Sequence, residues 1–140
     1  MQARGSTLIA RPPDEVFAFV TDQSKARLWR SHLTSSRGAV TAAGDVVTQT
    51  YTAAGQTKTV EFEVVEFAPP ERLAFRLRGP VRARLAFQCR PESGGTRVSM
   101  SLSAELIGFA SLAEGRAESE LTKLAHADLA ALKAALESGA

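Results

Sequence analysis

Few side chains in this sequence are spaced to do chemistry, and they fall into small groups. Trp29 and His32 stand three residues apart. They offer an aromatic wall and an imidazole that can act as general acid or base, or hydrogen-bond a ligand. Trp29 also fits packing of a short helix on a sheet edge, and His32 also fits an exposed loop residue. Gln49 and Tyr51 stand two apart, a spacing that puts both on one face of a strand. Asp128 lies inside an apolar helical stripe, between Leu124/Ala125 and Leu132. A carboxylate there is costly without a partner, and it reads either as a structural hydrogen-bonding group or as a catalytic one. His126 falls off the same stripe, toward solvent.

What is missing bounds the chemistry as firmly. Cys89, His32 and His126 lack metal-ligand spacing, so no metal site is expected. There is no glycine-rich phosphate loop and no nucleophile elbow, and no nucleotide cofactor is expected. The inward strand positions offer no acid–base pair, so any catalysis would work mainly by folding and orienting a reactive substrate. The weak catalytic candidates are His32 and Tyr51.

The elements that must position these groups follow from periodicity. Thr7 to Ala10 reads as a short first strand that stops at Pro12 and Pro13. Proline suits a helix's first position, and Asp14 and Glu15 sit where the helix dipole favours negative charge. Val16, Phe17 and Val20 give that helix its apolar side, and Thr21-Asp22 closes it. Ser24 is expected to cap a second short helix from Lys25 to about Arg30, with Leu28 and Trp29 on its apolar side.

From residue 35 to residue 104 the period changes from 3.6 to 2. Six antiparallel strands are expected over 35–41, 45–53, 57–67, 71–78, 81–90 and 95–104, separated by turn residues such as Ala54-Gly55-Gln56 and Glu92-Ser93-Gly94-Gly95. No helix-length segment separates them, so a meander is expected. One face carries Val47, Gln49, Tyr51, Val60, Phe62, Val64, Leu73, Phe75, Leu77, Val81, Ala83, Leu85, Phe87, Cys89, Val98, Met100 and Leu102. The opposite face is charged and includes Arg76, Arg78, Arg82 and Arg84. Keeping apolar groups on one face requires an odd loop before 81, most simply 78–80, and an even one at 92–95. Gln49 and Tyr51 are the strongly polar groups of the apolar face, Lys58 at a strand end aside. Phe62, Phe75, Phe87 and Met100 fill its middle. A long helix, about 114–137, carries Leu121, Leu124, Ala125, Leu129, Leu132 and Leu136 as one stripe, which must bury itself on the apolar face.

Composition agrees with one soluble α+β domain spanning 1–140. The chain has 140 residues, 44% hydrophobic and 23% charged, with one cysteine and a net charge of +2. A single cysteine excludes an intrachain disulfide and suits a reducing cytoplasm. No apolar run reaches membrane-span length, and the charge excess is too small to suggest nucleic-acid binding. The Arg76, Arg78, Arg82 and Arg84 cluster reads either as a solvated face or as a docking patch for an acidic protein partner or another subunit.

The order of elements, with "IARPPDEVFAFVTD" (9–22) followed by Trp29, "VVEFAPPERLAFR" (64–76), "GGTRV" (94–98) and "DLAALKAALE" (128–137), resembles the helix-grip fold of the START/SRPBCC superfamily. More specifically it resembles the bacterial polyketide cyclase/dehydrase and lipid-transport group. The resemblance implies a curved sheet of about seven strands gripping the C-terminal helix, with a cavity for a hydrophobic small molecule between them. It puts Trp29 and His32 at the cavity mouth, and its acid in the "DL..L" context implies a structural hydrogen bond for Asp128 rather than catalysis. It makes Gln49, Tyr51, Phe62, Phe75, Phe87, Met100 and Leu121 the candidate lining. It does not choose between a cyclase or dehydratase, a lipid or ligand carrier, and a stress-related interaction domain.

Overall fold

The computed structural model describes residues 1–105 and 114–139. It contains β1 (Gln2–Ile9), α1 (Pro13–Thr21), a 3₁₀ helix (Gln23–Leu28), β2 (Leu33–Arg37), β3 (Val46–Ala53), β4 (Gln56–Ala68), β5 (Arg72–Leu77), β6 (Ala83–Glu92), β7 (Gly95–Ala104) and α2 (Glu114–Glu137). The strands form one antiparallel sheet in the order β1-β7-β6-β5-β4-β3-β2. A curled sheet of seven strands with a C-terminal helix and short helices after the first strand is the expected α+β helix-grip architecture.

Two hairpins close as their turn residues dictate. Ala53 faces Gln56 across Ala54 (φ 52°) and Gly55 (φ 75°), and Glu92 faces Gly95 across Ser93 (φ 50°) and Gly94 (φ 78°). Two successive left-handed residues match the right-handed twist of the flanking strands. The second turn is two residues long rather than four, which keeps the even parity and the register of Phe87 opposite Met100.

The hairpin from β5 to β6 differs from the expected one. Phe75 faces Leu85, so the loop runs over 78–82 instead of 78–80. Parity is preserved, but Val81 leaves the apolar face and is 46% exposed. Gly79 at φ 124° and Pro80, which has no amide proton to pair, widen this connection. β2 is likewise shifted: it ends at Arg37, because Gly38 turns at φ 114°. The Asp45 carboxylate then accepts the Thr41 and Ala42 amides and organises the loop. A bulge between Val64 and Glu66 turns Phe67 inward, where its ring meets Phe17 at 5.6 Å.

β1 is twice the expected length and pairs with β7 over all eight residues. Two of its inward positions, Ala3 and Gly5, are small, and α2 packs against this strand. A Cβ on Gly5 would stand 2.8 Å from the His126 ring and 3.0 Å from Leu129. The end of α2 is tied to the end of β1: Lys133 Nζ donates to the Leu8 carbonyl at 2.6 Å, and the Ala10 amide donates to Glu137 at 2.9 Å. Ala125, Leu129, Leu132 and Leu136 are buried, whereas Leu124 is exposed and Leu121 half-buried. Among the described side chains of α2, those from Ala125 onward therefore carry the core packing.

Gly95 makes a sharper demand than Gly5. A Cβ there would lie 2.3 Å from the Ile9 carbonyl oxygen, which is backbone and cannot swing aside. Gly95→Ala is expected to cost about 2 kcal/mol or more in denaturant unfolding, as backbone displacement in a packed core does. A loss below about 0.5 kcal/mol would show that β1 can shift freely.

Cys89 is buried on the inward face, and desolvation pushes its thiol up to about 11 from an ordinary 9.0. The folded state thus favours the protonated thiol. Its contribution is complete below about pH 9 and is lost as pH rises toward about 11. Comparing unfolding of the wild type with Cys89→Ala across that window should show a steeper alkaline fall in the wild type.

Candidate ligand-binding site

The two short helices cross one end of the sheet and bring Trp29 under it. Pro12 and Pro13 start α1, with Asp14 and Glu15 in its first turn. Asp22, not Ser24, caps the 3₁₀ helix: its Oδ1 accepts the Ser24 amide at 3.0 Å and the Ser24 hydroxyl at 2.6 Å. Sequence reading favoured the serine, but the aspartate lies two residues earlier, where its carboxylate reaches the exposed amide. Trp29 ends the helix with its ring edge-on to Phe87, centroids 5.6 Å apart.

Trp29, Arg30, Gln23, Gln49, Phe75 and Phe87 line a cavity of about 20 Å³ between the 3₁₀ helix and the inward sheet face. That is room for about one oxygen atom or water. A chain of side-chain hydrogen bonds runs along its polar edge. The Tyr51 hydroxyl donates to Gln49 Oε1, Gln49 Nε2 donates to Ser36 Oγ at 3.2 Å, and Ser36 Oγ donates to Gln23 Oε1 at 2.6 Å. Phe62 meets Phe75 at 6.3 Å and carries the apolar surface onward from the cavity wall. Phe62, Leu77, Leu102 and Leu121 are only half-buried among the described residues. Larger hollows, of about 690 and 630 Å³, lie on the charged outer face, lined by residues such as Arg76, Arg84, Arg4 and Arg72.

Asp128 has the partners its burial requires. At 4% exposure it accepts the Ser31 amide at 2.9 Å and the Ser31 hydroxyl, and it sits 3.6 Å from Arg30 Nε. This links α2 to the segment that carries Trp29. The Arg30 guanidinium lies 5.5 Å from the Trp29 ring centre, within cation–π range. Two donors in this group, Trp29 Nε1 and Arg30 Nη1, are buried with no hydrogen-bond partner among the described residues.

Of the residues named from sequence, Trp29, Gln49, Phe75 and Phe87 line one cavity, with Tyr51 bonded to it through Gln49. Met100 is buried in the adjoining core, and Leu121 stands on the less covered half of α2. His32 is exposed at φ 63° and is not among the cavity's lining residues. Arg30, Gln23 and Ser36 were missed. The signal for Arg30 was Asp128 itself, a carboxylate inside an apolar stripe that needed a cation somewhere in the fold. Among the described residues no group of three or more His, Cys, Asp or Glu side chains could hold a metal ion. None of the described helices is long and apolar enough to cross a membrane.

A family model described as polyketide cyclase/dehydrase and lipid transport matches residues 2–137. No curated protein sequence matches the chain significantly. Solved structures share the fold at low identity. Protein TTHA0849 from Thermus thermophilus is 20% identical with a TM-score of 0.83, all of both chains being covered. A Staphylococcus aureus protein of unknown function is 10% identical with a TM-score of 0.82, covering 99% of this chain and 94% of its own. A Rhodobacter sphaeroides protein is 18% identical with a TM-score of 0.79, covering 99% and 93%.

Proposed function

Because the chain belongs to the polyketide cyclase/dehydrase and lipid transport family, we propose that it binds a hydrophobic, aromatic or polyketide-like small molecule between its sheet and α2. The observation that carries this reading is the chain Tyr51–Gln49–Ser36–Gln23 set into an otherwise apolar inward face beside Trp29. Few polar groups, fixed by one another and placed in an apolar wall, are what orients a small ligand. The half-covered surface at Phe62, Leu102 and Leu121 is the place for the ligand's body, and His32 stands outside it.

Binding of a naphthyl ketone followed by Trp29 fluorescence tests the site. Gln49→Leu and Tyr51→Phe should each weaken binding about fivefold or more, the effect of one lost polar contact, while His32→Ala leaves it unchanged. Equal affinities in all three variants would remove the polar chain from the site. Should a reaction be found, loss of turnover with retained binding in Tyr51→Phe would make the chain an enzyme. Unchanged turnover would leave it a carrier or sensor.

A second reading concerns the outer face, where Arg76 sits directly opposite Arg84. Arg76 pairs with Glu63 at 2.8 Å and Arg78 with Glu61 at 4.0 Å, while Arg82 and Arg84 have no acidic partner among the described residues. Two copies meeting here would oppose like charges, so an acidic protein partner suits the surface better than a homodimer. A polyglutamate peptide should bind it, lose affinity about tenfold between about 20 and 200 mM salt, and fail to bind Arg82→Glu/Arg84→Glu. Binding indifferent to salt and to both substitutions would end this reading.

A further inference from the structure

Two residues that line the cavity carry buried donors without a hydrogen-bond partner among the described residues, Trp29 Nε1 and Arg30 Nη1. An unpartnered buried donor costs about 1–3 kcal/mol, and native proteins rarely leave one without reason. Neither group is free to turn away and find a partner. The Trp29 ring is 4% exposed and held edge-on by Phe87, and Arg30 is anchored by Asp128 through Nε, the guanidinium lying over the indole. The neighbouring amides of Gln49 and Gln23 are already engaged with Ser36, Tyr51 and one another. What these two donors lack among the described residues is a hydrogen-bond acceptor, and the cavity beside them, at about 20 Å³, admits about one oxygen atom.

The charge of that acceptor is also constrained. Asp128 already balances Arg30, so the pair is neutral as a unit. A carboxylate would bring an uncompensated negative charge into a buried site, whereas a carbonyl oxygen offers two lone pairs and no net charge. We propose that the Trp29–Arg30 end of the cavity is a receptor for the neutral carbonyl oxygen of an aromatic ketone, ester or amide, whose apolar body follows Phe75 and Phe62 along the inward face. This rests on the ligand-binding reading above and adds the functional group by which the ligand is recognised.

The chain's one tryptophan makes the test direct, because Trp29 alone gives an indole N–H signal in a ¹⁵N-labelled sample. Three probes of matched shape are titrated: 2-acetylnaphthalene, 2-isopropenylnaphthalene, which replaces the carbonyl oxygen by a methylene, and 2-naphthoate. The ketone should move the indole proton downfield and bind about tenfold tighter than the alkene. Trp29→Phe should shrink the ratio of ketone to alkene affinity to about threefold or less. Should both neutral probes bind with the indole proton unmoved, the donors hold a water only, and this inference fails while the pocket stands. Tightest binding by the naphthoate would make the site an anion site and overturn the neutral assignment. If no probe shifts any signal, the pocket reading fails and takes this inference with it.

Discussion

Replacing Asp128 with alanine is expected to lower stability by about 3–5 kcal/mol, the cost of leaving a buried charge without its partner. The substitution strands the Arg30 guanidinium, whose side chain is 15% exposed, and frees the Ser31 amide and hydroxyl that Asp128 accepts. Those groups join α2 to the segment behind the cavity, so the effect combines lost helix docking with unsatisfied donors. Denaturant unfolding should show it as a lower midpoint and thermal unfolding as a fall in Tm of about 10 °C or more. The double variant Arg30→Met/Asp128→Leu separates the two contributions. Removing both charges together should recover much of the loss, because an apolar pair of similar volume avoids the desolvation of ions. A loss below about 1 kcal/mol for Asp128→Ala would mean that the contact is a surface-like pair of little consequence.

The second large effect is expected at Trp29. Truncation to alanine removes a ring that is 4% exposed, breaks the edge-on contact with Phe87 and takes away the platform beneath Arg30. Large-to-small changes of this kind cost about 3–5 kcal/mol, with the cavity term added to the transfer term. Trp29→Phe keeps a ring against Phe87 and should retain most of the stability while losing only the indole donor. Equilibrium unfolding of the two variants separates the roles of the residue. Near-equal losses would show that the N–H is structural, satisfied by water and worth as much as the ring. Trp29→Ala within about 1 kcal/mol of the wild type would show that the 3₁₀ helix is only loosely seated.

The parts of the fold that could be read in advance are those whose signal is hydrophobic period. Alternation from 45 to 104 located the strands after the first helices and assigned faces, and the helical stripe set α2 at 114–137, as observed. The failures share a cause: positions where size or backbone geometry, not polarity, carries the information. β1 was read as Thr7 to Ala10 because its inward residues Ala3 and Gly5 are too small to show alternation, and Gly5 is small because α2 approaches it closely. The bulge at Val65 that turns Phe67 inward leaves no mark in composition. The wide 78–82 loop was shortened because Val81 fits the apolar alternation, yet it is exposed.

The candidate site was legible to the same degree. Trp29, Gln49, Phe75 and Phe87 share parity or position and do line one cavity. Arg30 was hidden because an arginine at a helix end ordinarily points into water, and its burial follows from a carboxylate 98 positions away, counting from 30 to 128. His32 drew attention for its chemistry, but the left-handed turn that starts β2 leaves it exposed.

The central claim is that the inward face beside Trp29 holds a hydrophobic small molecule. Native mass spectrometry of the freshly purified chain tests it most directly. The account predicts a population heavier than the bare chain by one small organic molecule, released by mild activation or solvent extraction, or the same increment after incubation with 2-acetylnaphthalene and its absence in Trp29→Ala. A bare chain in both preparations would contradict it.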